Sequence, residues 1–243
     1  MIELHLGDCL EVMPTLPQVD AIITDLPYGT TACSWDEIIP FEPMWEQVWR
    51  ICKGAFVTTA SQPFTSKLVM SNLDYFKYEL IWDKVKSSQP HLSKYQPMKR
   101  HENALIFGNG KVKYNPVMVK KDKPRIAYGS KMTASNEHGL GLKQLPKYTI
   151  THSYPTSILV FSNADNTNRL HPTQKPVALY EYLIKTYTNE GDTVLDICAG
   201  SGTTGVACVN TNRNFIGIEL REDYYKIMET RIAEAQLQMR LPI

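Results

Sequence analysis

The stretch Thr193-Val194-Leu195-Asp196-Ile197-Cys198-Ala199-Gly200-Ser201-Gly202-Thr203-Thr204-Gly205 joins an apolar run, a glycine-rich turn and the start of a helical pattern. The apolar run predicts a buried strand, and the glycines predict a turn at which a Cβ would collide with a ligand or forbid the backbone conformation. The next apolar run, Phe215-Ile216-Gly217-Ile218-Glu219, ends in an acid 19 residues after Gly200. An acid at this spacing can accept hydrogen bonds from both hydroxyls of a ribose. The pattern predicts a nucleoside-containing cofactor and leaves S-adenosylmethionine and a nicotinamide dinucleotide open.

The alternation of strand and helix extends along most of the chain. Further strands are predicted at residues 2–6, 19–24, 55–59 and 78–82, and helices at 42–52, 64–70, 176–187, 204–210 and 222–238. This alternation predicts βαβ units and an α/β fold, with a mostly parallel central sheet and helices on both faces. Between about 84 and 165 the pattern degrades, and only 103–107 and 157–161 are predicted as strands.

A second stretch, Ile22-Ile23-Thr24-Asp25-Leu26-Pro27-Tyr28-Gly29, ends a buried strand with a carboxylate, a rigid proline and an aromatic ring. Ligands of open α/β sheets bind just beyond the carboxyl ends of the strands, so these side chains are candidates for a reacting site. The plain alternative is a strand-to-loop turn in which Asp25 caps the turn and Tyr28 packs.

The charge of the chain is unevenly distributed. The net charge is only +1, but Lys84 to Lys147 contains fourteen Lys and Arg residues and three acids, a net +11, which leaves −10 for the rest. A basic block in an otherwise acidic chain predicts a polyanionic partner, and its alternative is a solvated lysine-rich loop.

Composition narrows the class of protein. No apolar run is long enough for a transmembrane helix, and the N-terminus lacks the basic and apolar regions of a signal peptide. The five cysteines, Cys33 among them, are scattered and contain no C-x-x-C pair, which argues against a disulfide framework or a zinc site. We therefore expect a cytoplasmic protein without membrane contact and without a metal.

Together, the two motifs resemble those of the amino-methylating DNA methyltransferases, which methylate N6 of adenine or N4 of cytosine. Asp25-Leu26-Pro27-Tyr28 is similar to their catalytic motif, and Asp196 to Gly202 is similar to their cofactor motif. The catalytic motif comes first, as in the permuted β group of this family. His171-Pro172-Thr173-Gln174-Lys175-Pro176 looks like the motif that precedes the cofactor strand of that group, and Asp8 resembles an early acid near the adenine of the cofactor.

The resemblance implies a Rossmann-like methyltransferase fold with S-adenosylmethionine as cofactor. It divides the chain into a catalytic half (1–107), an inserted target-recognition region (108–165) and a cofactor-binding half (166–243). The implied catalytic residues are Asp25, Pro27 and Tyr28. The implied cofactor-binding residues are Asp8, Asp25, Lys175, Asp196, Gly200, Gly202, Thr203 and Glu219. The implied partner is double-stranded DNA, and the resemblance also allows a homodimer.

The resemblance further implies that the Asp25 carboxylate and the carbonyl of Leu26 or Pro27 hold the target amine, while Tyr28 stacks on a base flipped out of the duplex. We expect adenine rather than cytosine, because cytosine-specific members often carry Ser at the position of Asp25. The alternatives are N4-cytosine methylation, methylation of RNA or protein amines, a nicotinamide oxidoreductase and a non-catalytic DNA-binding module. Pairing with a restriction enzyme stays open.

Overall fold

The computed structural model describes residues 1–30, 36–88, 90, 93–128, 147–163 and 174–240. The strands are β1 (Ile2–Leu6), β2 (Ala21–Thr24), β3 (Ala55–Ala60), β4 (Phe76–Ser88), β5 (Lys99–Gly108), β6 (Val119–Tyr128), β7 (Lys147–Ser153), β8 (Ile158–Val160), β9 (Thr193–Asp196) and β10 (Asn214–Glu219). The α-helices are α1 (Cys9–Val12), α2 (Phe41–Ile51), α3 (Phe64–Ser71), α4 (Val177–Tyr187), α5 (Thr203–Asn210) and α6 (Glu222–Arg240). Short 3-10 turns follow α1 and α3. Every helix and strand predicted outside the basic block is therefore present.

Eight strands form one sheet in the order β1-β10-β9-β2-β3-β5-β4-β8. Five of its seven strand pairings are parallel. The antiparallel pairings are the two made by β5, which follows β4 without a crossover helix. The predicted α/β class with a mostly parallel sheet is confirmed.

Helices cover both faces of this sheet, as predicted. Successive residues of β2 show why: Ile22 packs in a core with α2 and α3, whereas Ile23 packs in a second core with α4, α5 and α6. All four residues of β2 are buried, which explains why the strand reads as a continuous apolar run rather than an alternating one.

The switch point of the sheet lies between β9 and β2, which pair in parallel. From β9 the chain crosses through α5 to β10 on one side, and from β2 it crosses through α2 to β3 on the other. The two connections diverge and leave a crevice beyond the carboxyl ends of both strands. Asp25 follows β2 and the glycine turn follows β9, so the fold places both predicted motifs at this crevice.

The basic block is more regular than predicted. Strand β4 continues to Ser88 and β5 begins at Lys99, so the first part of the block belongs to the large sheet. Strands β6 and β7 form a separate two-stranded antiparallel sheet, where we predicted irregular structure. Their pairing shifts between Lys120 and Arg125, a segment that contains Pro124, which has no N–H to donate.

The described chain divides into two compact units, Met1–Asn115 with Ser157–Ile243, and Pro116–Thr156. Within the described residues no helix is long and apolar enough to cross a membrane. Cys33 and the His171–Thr173 part of the predicted motif lie outside the described residues.

Candidate active site

Residues that follow β2, β9 and β10 line one cavity of about 650 Å³. A volume of this order is typical of a site for a cofactor or a small ligand. The predicted site residues that line it are Asp8, Asp25, Pro27, Tyr28, Lys175, Asp196, Gly200, Thr203 and Glu219. The fold thus brings the predicted catalytic and cofactor residues to a single cavity, with the exception of Gly202, which is not part of its lining.

The two glycines of the turn are required for different reasons. Gly200 lines the cavity with a φ of +53°, and a Cβ built there meets no heavy atom within 4 Å, so a side chain would occupy the cavity. Gly202 has a φ of +80°, and a Cβ there would lie 2.8 Å from Cγ of Met228. Gly200 therefore leaves space for a ligand, whereas Gly202 allows the turn into α5 to pack against α6.

Glu219 is held at the end of β10 by two backbone amides. The Gly200 N–H donates to Oε2 at 2.7 Å, and the Arg221 N–H donates to Oε1 at 2.9 Å. Burial raises the pKa of this carboxyl group above its usual range, and the two amide donors oppose that change. Each oxygen keeps a second acceptor direction for a hydroxyl group, as the predicted contact to a ribose requires.

Asp196 joins the two loops of the crevice. Its Oδ1 accepts hydrogen bonds from the Thr24 hydroxyl at 2.7 Å and the Cys198 N–H at 3.0 Å, and its Oδ2 accepts one from the Thr204 hydroxyl. Burial raises the pKa of Asp196 to about 6. These contacts fix the end of β2 against the turn before α5, and binding of a cofactor by this side chain stays a prediction.

The Asp25 carboxylate accepts hydrogen bonds from three side chains. The hydroxyls of Tyr28, at 2.9 Å, and of Thr59 both donate to Oδ1, and the Lys175 ammonium donates to Oδ2 at 2.6 Å. A carboxylate oxygen has two acceptor directions. Within the described residues Oδ1 is therefore fully used by the protein, whereas Oδ2 keeps one direction for another donor.

Lys175 forms ion pairs with two carboxylates of the protein. It lines the cavity, and its ammonium group forms an ion pair with Asp25 and lies 3.6 Å from Oε2 of Glu102. Burial lowers the pKa of Lys175, but the two carboxylates more than compensate and hold it above its usual value. Lys175 is thus charged and orients the catalytic candidate, and a contact with the cofactor stays a prediction.

Glu102 and Lys84 are cavity residues that the sequence analysis did not identify. Glu102 is in β5, and its Oε1 accepts a hydrogen bond from the Lys84 ammonium of β4 at 3.1 Å. The basic-block argument counted Lys84 among the candidates for surface charge, but only 5% of this residue is exposed. The register of β4 and β5 pairs Trp82 with Glu102 and so brings Lys84, two residues further along β4, close to Glu102. Sequence periodicity does not give the register between strands, so this contact could not be predicted.

Tyr28 is held by its hydroxyl group, which donates to Asp25, and by its ring, which stacks on Phe64. Its ring stacks on Phe64 with centroids 5.2 Å apart, and the Lys175 ammonium lies 5.3 Å from the ring centroid. Burial and the nearby Asp25 carboxylate raise the pKa of the hydroxyl well above its usual value, so the hydroxyl remains a donor to Asp25. The ring is held in place before any substrate arrives.

Asp36 shapes the catalytic loop, and the sequence analysis missed it as well. Its Oδ1 accepts hydrogen bonds from the N–H groups of Tyr28, at 2.7 Å, and Gly29, at 2.9 Å, and its Oδ2 accepts one from Thr30 N–H at 2.9 Å. Three consecutive amides around one carboxylate fix the backbone directly after Pro27. Asp36 lies eight residues after Tyr28, and a single Asp at that distance gives no sequence signal for a contact with these backbone amides.

A family model described as DNA methylase, covering enzymes that methylate N6 or N4 amines, matches residues 19–230. The chain belongs to this DNA methylase family. The match confirms the resemblance to the amino-methylating DNA methyltransferases and argues against the nicotinamide oxidoreductase, while the permuted motif order of the β group stays a prediction.

Two relatives illustrate this membership. The type II methyltransferase M.HpaI of Haemophilus parainfluenzae is 30% identical over 232 residues, which cover 88% of this chain and 68% of M.HpaI. The DNA adenine methyltransferase YhdJ of Escherichia coli (strain K12) is 51% identical over 57 residues, which cover 24% of this chain and 19% of YhdJ.

Two solved structures share the fold. The crystal structure of the M1.HpyAVI-SAM complex has a TM-score of 0.64 and 25% identity, and the match covers 96% of this chain and 99% of that one. The cytosine-N4-specific PvuII DNA methyltransferase has a TM-score of 0.67 and 16% identity, covering 98% of this chain and 92% of that one. At that identity PvuII shows the fold alone.

The loop built by Asp36 gives a first prediction. In Asp36→Asn one oxygen can still accept from Tyr28 and Gly29, but the new NH₂ group faces the Thr30 N–H, so the loop must shift. We expect the turnover number for methyl transfer to DNA to fall by about tenfold or more, since a hydrogen bond to a charged group contributes roughly 1.5–3 kcal/mol. Steady-state methylation kinetics measure it.

The matched control is Asp74→Asn, the same chemical change at an exposed position after α3. Turnover of Asp36→Asn within about twofold of this control would show that the three amide contacts do not set the shape of the catalytic loop.

Proposed function

We propose that this protein transfers a methyl group from S-adenosylmethionine to N6 of adenine in double-stranded DNA. The observation that carries the proposal is the Asp25 carboxylate, which has one acceptor direction left and lines the same cavity as Gly200 and Glu219. Membership of the DNA methylase family supplies the reaction class.

The cofactor end of the cavity fits S-adenosylmethionine. Gly200 leaves open space where a Cβ would stand, Glu219 offers acceptor directions for the ribose hydroxyls, and Asp8 and Thr203 line the same cavity. The similar M1.HpyAVI was solved as a complex with SAM, which supports this choice. When bound, S-adenosylmethionine supplies a methyl group activated by a sulfonium centre.

Asp25 performs the part of the reaction that the protein itself contributes. The exocyclic amine of adenine is a weak nucleophile because its lone pair is delocalised into the ring. A carboxylate that accepts one of its hydrogens favours a more tetrahedral nitrogen and stabilises the positive charge that develops on it. Because Lys175, Thr59 and Tyr28 already orient Asp25, this acceptor needs little reorganisation.

The free acceptor direction of Asp25 determines which of its oxygens binds the target amine. Oδ1 of Asp25 already accepts from two hydroxyls, so the target amine donates to Oδ2, beside the Lys175 ammonium. The second amine hydrogen goes to the carbonyl of Leu26 or Pro27, as the family resemblance implies. Pro27, which has no N–H and a fixed φ, keeps these acceptors in place.

The target base must leave the duplex to reach Asp25. The Tyr28 ring, rigidly backed by Phe64, is the surface on which we place the flipped base. Stacking of a base on an aromatic ring contributes about 1–3 kcal/mol and does not depend on which base is present. Tyr28 therefore holds the base, and the choice between adenine and cytosine comes from elsewhere in the cavity.

Two observations favour adenine over cytosine. Asp25 stands where the cytosine-specific members of the family often have Ser, and YhdJ, which matches part of this chain at 51% identity, is named as a DNA adenine methyltransferase. N4-cytosine methylation is the second candidate, because the family model covers both reactions.

The unit Pro116–Thr156 is our candidate for the centre of the target-recognition region, which was predicted at 108–165. Its described part carries five basic side chains and one acid, Asp122. The basic residues, exposed or partly exposed along β6 and β7, are Lys120, Lys121, Lys123, Arg125 and Lys147. An exposed, strongly positive hairpin suits contacts with DNA phosphates.

The proposed reaction also requires that the protein is located with the DNA, which in a bacterium is the cytoplasm. A homodimer stays a proposal.

The choice of base gives the direct test of the function. We expect methyl transfer from tritiated S-adenosylmethionine to a mixed-sequence duplex and to a duplex without cytosine, and none to a duplex without adenine. The adenine-free duplex is made by replacing each adenine with 2-aminopurine, which lacks the N6 amine. Nucleoside analysis by mass spectrometry identifies the product. N4-methylcytosine as the product would overturn the adenine assignment, and no transfer to any duplex would overturn the reaction.

The second prediction separates catalysis from cofactor binding. We expect Asp25→Ala to lower turnover by about 100-fold or more, which is typical of removing one preorganised group that stabilises developing charge. The dissociation constant for S-adenosylmethionine, measured by calorimetry, should stay within about threefold of wild type. Loss of cofactor binding would instead support the cofactor contact that the family resemblance also implies for Asp25. Asp74→Ala, at an exposed position, is the control.

The hairpin gives the third prediction. Affinity for a duplex, measured by fluorescence anisotropy, should fall steeply with salt, and replacing Lys120, Lys121 and Lys123 by Gln should reduce the slope of log K against log[salt] by about 0.9 per phosphate contact removed.

Replacing Lys53, Lys67 and Lys77 by Gln is the matched control, because these exposed lysines lie outside the basic block. Equal slopes for the hairpin variant and this control would contradict the assignment of β6 to DNA binding.

A further inference from the structure

Four alternating charges extend from the catalytic candidate into the wall of the cavity. Lys175 Nζ is 2.6 Å from Asp25 Oδ2 and 3.6 Å from Glu102 Oε2, and Lys84 Nζ is 3.1 Å from Glu102 Oε1. The four side chains come from the loop after β2, from β4 and β5, and from the segment before α4. All four line the cavity described above.

These charges are largely removed from water. The side chains of Lys84 and Lys175 are 7% and 10% exposed, and that of Glu102 is 15% exposed. A buried charge without a partner costs several kcal/mol, and breaking a buried pair by removing one member is strongly destabilising. Glu102 stands between two buried lysines, and both depend on it.

The electrostatics of the group are consistent with charged partners. Burial alone would raise the pKa of Glu102, but Lys175, Lys84 and, to a smaller extent, the partly buried Lys99 of the same cavity hold it below its usual value. Burial would likewise lower the pKa of Lys175, but Asp25 and Glu102 hold it above its usual value. Glu102 is thus ionised and Lys175 protonated near neutral pH.

The two oxygens of Glu102 act differently. Oε1 accepts a hydrogen bond from Lys84, whereas Oε2 is buried without a hydrogen-bond partner among the described residues and lies 3.6 Å from Lys175. Glu102 therefore binds Lys84 directly and acts on Lys175 by charge. Lys175 can therefore direct its hydrogen bond to Asp25.

We propose that Glu102 is a positioning residue for methyl transfer: it neutralises Lys84 and thereby keeps one ammonium group, that of Lys175, on Oδ2 of Asp25. This inference rests on the proposed function, in which the free direction of Oδ2 accepts the target amine. With Glu102 neutral, two buried ammonium groups share the single carboxylate of Asp25. An ammonium drawn to the free direction of Oδ2 blocks the amine.

The charge balance supplies the test. In Glu102→Gln the side chain keeps its shape and loses its charge, and we expect the turnover number to fall by about tenfold or more, which corresponds to about 1.4 kcal/mol. The dissociation constant for S-adenosylmethionine should stay within about threefold of wild type, because Glu102 acts on Asp25 and not on the cofactor loop. Steady-state methylation of an adenine-containing duplex and calorimetry measure the two quantities.

A double variant distinguishes positioning from a merely structural role. Lys84→Met with Glu102→Gln removes one positive and one negative charge and leaves Lys175 paired with Asp25 alone. We expect its turnover to recover to within about threefold of wild type. Turnover of the double variant equal to or below that of Glu102→Gln would overturn the proposal, as would a turnover of Glu102→Gln equal to wild type.

Controls keep the outcomes separate. Glu46→Gln makes the same chemical change on the exposed side of α2, and we expect wild-type turnover. If the thermal transition shows that Glu102→Gln does not fold, Glu102→Asp, which keeps the charge, is measured instead. Turnover of Glu102→Asp within tenfold of wild type supports the proposal. A greater loss of turnover overturns it. An inactive wild-type protein would instead contradict the proposed function itself.

Discussion

The hydrogen-bonded ion pair between Lys175 and Asp25 is the interaction on which the catalytic site depends. It joins residues 150 positions apart, at a distance of 2.6 Å. The pair can form because β2 and β9 are parallel neighbours at the switch point of the sheet, so the loop after β2 lies beside the elements of the cofactor half. Thr59, at the end of β3, and Tyr28 complete the set of donors. Among the residues that the structure describes, one carboxylate oxygen is thereby fully used by the protein, and the other keeps a single acceptor direction.

At the cofactor end of the cavity, side chains are likewise held by hydrogen bonds between the ends of neighbouring strands. Asp196 fixes the glycine turn to Thr24 at the end of β2, and Gly200 N–H fixes Glu219 at the end of β10. In the proposed reaction the methyl donor and the target amine meet at this site, where the buried hydrogen bond between Thr24 and Asp196 joins the two loops. Because the protein itself holds Asp196 and Glu219 in place, the side chains at the cofactor end need little reorganisation when a ligand binds.

The sequence was sufficient to predict the α/β fold, because most strands and helices show clear periodicity. Asp25 and Glu219 could be identified because the first directly follows an apolar strand and the second ends one, and Gly200 because it belongs to a glycine-rich turn between a strand and a helix. Lys84 and Glu102 could not, since their pairing depends on the register of β4 and β5, which sequence periodicity does not contain. The hairpin of β6 and β7 was missed for another reason: β6 is charged, largely exposed and contains Pro124, and β7 is short and polar apart from Tyr148 and Ile150, so neither shows a long apolar alternation.

A crystal structure of the protein with S-adenosylhomocysteine and a duplex containing the target site tests the central claim most directly. We expect an adenine flipped out of the duplex, its N6 atom about 3 Å from Oδ2 of Asp25, and Lys175 still bonded to that carboxylate. A target amine bound away from Asp25, or one that has displaced Lys175 from Oδ2, would contradict it.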